Sequence, residues 1–92
     1  MHLEEEQLKA VEEMSSLFFS PADISDNLEL DQDNSELFLS LIELKQGPVY
    51  KAFRRGRLRT EVQLREAVRM AAMNGSSPAQ NLMISFFKDS IQ

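Results

Sequence analysis

No cysteine occurs among the 92 residues, so neither a disulfide nor a thiolate metal site can belong to this fold. Histidine is limited to His2, beside the first methionine, where fraying is expected and a catalytic or zinc-binding role is not. Long apolar runs are missing as well. The two longest near-apolar stretches, 37–42 and 82–87, are each interrupted by serine and fall far short of the ~20 residues that span a bilayer. The opening Met-His-Leu-Glu-Glu-Glu is acidic, the opposite of a secretory or mitochondrial targeting segment. These absences predict a soluble, cytoplasmic chain with no membrane contact, no metal and no other cofactor. Glu4, Glu5 and Glu6 do not change that expectation. Consecutive helical residues splay apart, and three acids in a first turn suit the positive end of the helix dipole.

Basic residues are missing from one long stretch: neither lysine nor arginine lies between Lys9 and Lys45. The net charge of -5 therefore conceals a partition. Residues 1–44 carry twelve acids against Lys9, or -11. Residues 45–69 carry eight bases against Glu61 and Glu66, or +6, and residues 70–92 cancel. An acidic chain of this kind still attracts phosphate if its bases cluster, because a patch acts within about a Debye length, ~8–10 Å. The same bases could instead meet carboxylates, within the molecule or on a neighbouring copy, or form a solvated helix face.

What is present is helical periodicity. Leu8, Val11, Met14 and Phe18 recur at helical steps in a first helix from Leu3 to about Phe18. Ser20-Pro21-Ala22-Asp23 is a helix start, with serine as cap and proline at the first position, opening a short helix to about Leu28. After a turn through Glu29 and Leu30, Asp33-Asn34-Ser35-Glu36 reads as a capping box for a third helix containing Leu37, Phe38, Leu41 and Ile42. Gly47-Pro48 restarts the chain, and Phe53, Gly56, Thr60, Leu64, Val68 and Ala71 then follow one side of a helix reaching about Asn74. Gly56 marks a close backbone approach, a bend or break, or only a tolerated surface position. Gly75 suits a left-handed helix end, and Ser77-Pro78-Ala79-Gln80 repeats the serine-proline start for a last helix to about Lys88.

The expected fold is all-α with about five helices in one compact domain. Residues 1–46 form a helix-turn-helix-like three-helix unit and 47–92 a helical hairpin suited to assembly. Ninety-two residues give a thin margin for a single core, so burial against a second copy is a natural supplement. Phe18, Phe19, Phe86 and Phe87 are expected in the core, as is the ring of Tyr50.

The candidate binding residues are Lys45, Lys51, Arg54, Arg55, Arg57 and Arg59. On one helix Lys51, Arg54, Arg55 and Arg59 share a face opposite Phe53, Thr60 and Leu64, whereas Arg57 leans toward the apolar side and Leu58 falls within the basic one. A bend at Gly56 would relieve both misfits. Such a segment suits duplex DNA held through phosphates, with little sequence preference. The third helix suits base reading poorly, since Asp31, Asp33, Glu36 and Glu43 surround it and only Gln32 and Asn34 are of the types that read base edges.

Phe19-Ser20-Pro21-Ala22-Asp23-Ile24-Ser25 resembles the second helix of the helix-turn-helix in phage small terminase subunits and related mobile-element proteins. The stretch from Gly47-Pro48-Val49-Tyr50 through Arg54-Arg55-Gly56-Arg57 resembles the family's following segment, in which a tyrosine precedes basic residues and a glycine. Leu64 to Ala72, then Asn74-Gly75-Ser76-Ser77-Pro78-Ala79, resembles its alanine-containing helix and its restart. Together these cover most of residues 19–88, and their order and spacing carry the likeness. In a helix-turn-helix the second helix commonly has a small residue at its middle and glycine at the turn; here those positions are Ser25 and Glu29. The resemblance implies a non-enzymatic protein with an N-terminal DNA-binding module and a hairpin that assembles copies into a ring. The ring would present viral DNA to a separate large ATPase-nuclease subunit. Two other functions fit the residues: a protein-interaction module without nucleic acid, its acidic and basic segments paired between copies, and a small helix-turn-helix transcriptional regulator.

Overall fold

Four of the helices begin where the sequence supplies an acceptor for N–H groups that would otherwise be unpaired. In the computed structural model, which describes residues 1–91, the helices are α1 (Glu5–Ser16), α2 (Pro21–Asn27), α3 (Gln32–Glu43), α4 (Gly47–Met73) and α5 (Ser77–Ser90). The fold is all-α, as expected, with no strand among the described residues. Glu4 and Gln7 form a reciprocal capping box at α1, the Glu4 N–H donating to Gln7 Oε1 at 2.9 Å. Ser20 caps α2 by accepting from the Asp23 N–H at 3.1 Å.

Two starts fall earlier than the sequence suggests. The cap of α3 is Asp31, not Asp33, because its carboxylate accepts both from the Asn34 backbone (2.8 Å) and from the Asn34 side chain (3.2 Å). The cap of α5 is Ser76 rather than Ser77, its hydroxyl accepting from the Ala79 N–H at 3.4 Å. In both cases the competing residue two or one positions later is already inside the helix, where its side chain no longer faces the free N–H groups.

The three helices of the N-terminal part end on left-handed residues that are not glycine: Phe18 (φ 65°), Glu29 (φ 54°) and Lys45 (φ 58°). This conformation lets the following N–H groups reach back to the helix carbonyls, as Phe19 does to Met14 (3.2 Å) and Gln46 to Leu41 (3.0 Å). Glu29 thus takes at the α2–α3 turn the left-handed position that glycine commonly takes at helix ends. Ser25 is buried in the middle of α2, and its hydroxyl lies 2.6 Å from that of Ser35 on α3.

Two compact units divide the chain at Met1–Thr60 and Glu61–Gln92. The expected boundary at residues 46 and 47 is therefore not where packing changes. The first turns of α4 bury Val49, Ala52 and Gly56 with the N-terminal helices, so they belong to the first unit. The core of that unit consists of Leu3, Val11, Ile24, Phe38, Ile42, Val49 and Ala52, with Leu8, Met14, Leu28, Leu30 and Phe53 packed around it. Phe38, Ile24 and Val11 are wholly enclosed.

The second unit pairs the last turns of α4 with α5. Asn74-Gly75 makes the turn, Gly75 in the left-handed region (φ 99°) as the sequence predicts. Gln80 Nε2 donates to the Ala72 carbonyl across the turn (3.0 Å), and the Arg65 guanidinium stacks on the Phe86 ring at 4.0 Å. Ala79 is its one buried apolar residue among those described. The expectation that all four of Phe18, Phe19, Phe86 and Phe87 are core does not hold. Phe86 is half-buried, but Phe18, Phe19 and Phe87 are exposed. Phe18 and Phe19 follow the last turn of α1 rather than extending its apolar face, and Phe87 lies outside the α4–α5 seam that Met83 and Phe86 partly fill.

Candidate nucleic-acid interface

The basic segment 51–59 is built on the part of α4 that crosses α1, and the crossing is unusually close at Gly56. A Cβ placed there would collide with the Glu12 carbonyl oxygen and lie 2.9 Å from the Ser16 amide. Close backbone approach is thus the reason for this glycine, and α4 is unbroken from Gly47 to Met73. No break at Gly56 repairs the basic face, and Arg57 is accommodated by contacts instead.

Arg57 shows how. It does turn toward the apolar side, and there its guanidinium donates to the carbonyls of Ser15 (3.1 Å) and Phe19 (2.9 Å). It lies over the rings of Phe53 (4.7 Å) and Phe18 (5.5 Å). Thr60 Oγ1 donates to the Ser16 carbonyl at 2.6 Å, and Ser15 Oγ donates to the Phe53 carbonyl at 2.5 Å. Helix α1 ends with carbonyls that have no partner within the helix and with the negative end of its dipole. Arg57 supplies both donors and positive charge at that end. Partial burial lowers its pKa from the ordinary arginine value by desolvation, but arginine starts so high that it remains charged.

Two further arginines are paired across the same crossing. Arg55 Nε meets Glu12 Oε1 at 2.8 Å, and Arg59 meets Glu12 Oε2 at 3.0 Å and Glu13 Oε2 at 3.2 Å. Glu12 therefore takes one arginine on each oxygen. Such exposed pairs contribute modestly, about 0.2–1 kcal/mol each, but while formed they fix the arginine forks against carboxylates.

The remaining three candidates are disposed differently. Lys51 and Arg54 on α4 are exposed, as is Lys45 at the left-handed end of α3, and none has a carboxylate within 4.0 Å among the described residues. The six residues thus divide into an internally engaged trio (Arg55, Arg57, Arg59) and a free trio (Lys45, Lys51, Arg54). Tyr50 is half-buried, in keeping with a ring at the edge of the core. Of the two candidate base readers on α3, Gln32 lies 3.4 Å from Glu36 Oε1 and Asn34 is held by Asp31.

The sequence allowed intramolecular pairing of the basic segment but did not single out Glu12 and Glu13. Their signal was present: adjacent acids late in α1, arginines four apart in α4, and a set of small or hydroxyl-bearing residues (Ser15, Ser16, Gly56, Thr60) that lets the two helices approach. No family model matches this chain, and neither curated proteins nor solved structures give a significant match. No helix among the described residues is long and apolar enough to cross a membrane.

Proposed function

We propose that this chain is a non-enzymatic assembly protein that also holds duplex DNA, the combination that its resemblance to phage small terminase subunits implies. The observation that carries the assembly part is the surface of the second unit. Leu64, Met70, Met73, Leu82, Ile84, Phe87 and Ile91 are all exposed there, Met73 by 80% and Ile91 by 69%. So much apolar surface on a two-helix hairpin marks a place where another protein surface sits. Copies of this chain are the proposed occupants, in the cytoplasm of a bacterial or phage-infected cell. A large ATPase-nuclease subunit would receive the DNA they hold.

For DNA the free trio Lys45, Lys51 and Arg54 is the proposed contact. Phosphates would be its target, because α3 offers mainly carboxylates and leucines to a groove; this also argues against the transcriptional-regulator reading. Neutralising three phosphates gives a slope of roughly -3 for log affinity against log salt, where all six bases would give about -5. Fluorescence anisotropy with a random-sequence duplex at low and physiological salt measures this directly. Binding with the shallow slope, lost in Lys51→Glu/Arg54→Glu, supports the reading. Absence of binding even at low salt favours the second reading, a protein-interaction module without nucleic acid, to which the Glu12 and Glu13 pairing already gives weight.

A further inference from the structure

The corner between α1 and α2 carries three consecutive apolar residues that the core does not take up. Leu17, Phe18 and Phe19 are 63%, 51% and 43% exposed. Phe18 holds the left-handed conformation there (φ 65°), which glycine and asparagine enter far more readily than a bulky aromatic residue. Closing α1 needs that backbone turn and not the ring. An aromatic side chain kept in a disfavoured conformation, half in solvent, suits contact better than folding.

The ring adjoins the basic segment. The Arg57 guanidinium lies 5.5 Å from its centroid, and Arg57 ends a row of cations on α4, Lys51, Arg54 and Arg57, at steps of three. Such steps place successive members beside one another on the helix surface. Lys51 and Arg54 are exposed, with no carboxylate within 4.0 Å among the described residues. Positive charge therefore runs up to the ring itself. A strand with unpaired bases engages both features, its phosphates following the cations while a base stacks on the open aromatic surface. A blunt duplex uses the cations alone, because its bases are already stacked on one another. We infer that Phe18, with Phe19 next to it in the chain, is a stacking site for an unpaired base of single-stranded DNA whose phosphates follow Lys51 and Arg54. The inference rests on the DNA-holding part of the proposed function and adds the kind of DNA. Stacking accepts any base, so the site favours an open strand without favouring a sequence.

Fluorescence anisotropy on the full chain compares three labelled probes of about twelve units: oligothymidylate, its abasic counterpart with the same phosphates, and a blunt random-sequence duplex. At physiological salt oligothymidylate is expected to bind at least about fivefold tighter than either of the others. Phe18→Asn removes the ring but suits the left-handed position, so helix content and melting temperature should stay near the parent's. It is expected to lower oligothymidylate affinity about fivefold, to the abasic level, with the salt slope and the other two affinities unchanged. Phe18→Trp, which keeps an aromatic face, should retain the preference. Equal affinity of the parent for oligothymidylate and its abasic counterpart overturns the inference while the phosphate contact stands. So does a Phe18→Asn variant that changes nothing, or one that weakens all three probes alike. A parent that binds none of the three even at low salt overturns the DNA reading, and this inference with it.

Discussion

One side of α4 meets two fates along its length. Phe53, Gly56 and Thr60 lie against α1 and are buried or half-buried; of the same stripe continued, Val68 is half-buried while Leu64 and Ala71 are exposed. The first unit surrounds its apolar residues on several sides with α1, α2, α3 and the start of α4. The second has two helices and encloses Ala79 alone among its described apolar residues. Two helices have one seam, and residues off that seam need a third surface. Equal periodicity thus leads to a core in one unit and to an unsatisfied face in the other.

The largest expected effect breaks that contrast at its centre. Phe38→Ala removes a ring with no exposed surface and should cost about 3–5 kcal/mol, enough to unfold much of a marginal domain at room temperature. Phe87→Ala removes the same side chain at 65% exposure, and for the monomer it should change stability by no more than about 0.5 kcal/mol. Urea titrations at low protein concentration compare the two. A Phe87→Ala loss approaching that of Phe38→Ala would show that the second unit has an interior after all.

Next in size is Gly56→Ala, which strikes where the covered half of the stripe is closest to α1. The new methyl meets the Glu12 carbonyl and the Ser16 amide, both backbone groups that cannot rotate away. Moving α1 outward would also stretch the Arg57, Ser15 and Thr60 hydrogen bonds. A cost of about 2–3 kcal/mol is expected, lowering the melting temperature by roughly 10–20 °C. A melting temperature within a few degrees of the parent would mean that α1 and α4 are not held at this distance.

The helices themselves were legible because caps and periodicity are local. Ser20, Gly75 and the stripe from Phe53 to Ala71 state their roles within a few residues. Where two carboxyl or hydroxyl residues compete for one cap, as Asp31 and Asp33 or Ser76 and Ser77 do, the nearest free N–H decides, and composition alone does not rank them. Gly56 was ambiguous for a different reason. A glycine that admits a backbone and one that breaks a helix look alike until the crossing helix is known. Arg57 leaned to the apolar side in the sequence, but the carbonyls it serves belong to the end of another helix. The free and engaged trios differ in what α1 and the residues just after it bring to them, contacts about forty residues away in sequence.

The smallest effect on stability is the most informative about function. Glu12→Gln/Glu13→Gln removes the carboxylates that hold Arg55 and Arg59, leaving both glutamines able to accept a hydrogen bond without charge. Exposed pairs of this kind are worth little, so the double variant should lose only about 0.5–1.5 kcal/mol in a urea titration. DNA affinity should move the other way. Two arginines become available beside Lys51 and Arg54, the net charge rises by two, and the salt dependence should steepen by up to about 2 in slope. A steeper slope would identify the α1 carboxylates as internal competitors for phosphate, withholding Arg55 and Arg59 from a six-residue basic segment. If affinity and slope stay at the parent's values while the fold is retained, Arg55 and Arg59 face away from the DNA, and the contact is confined to Lys45, Lys51 and Arg54.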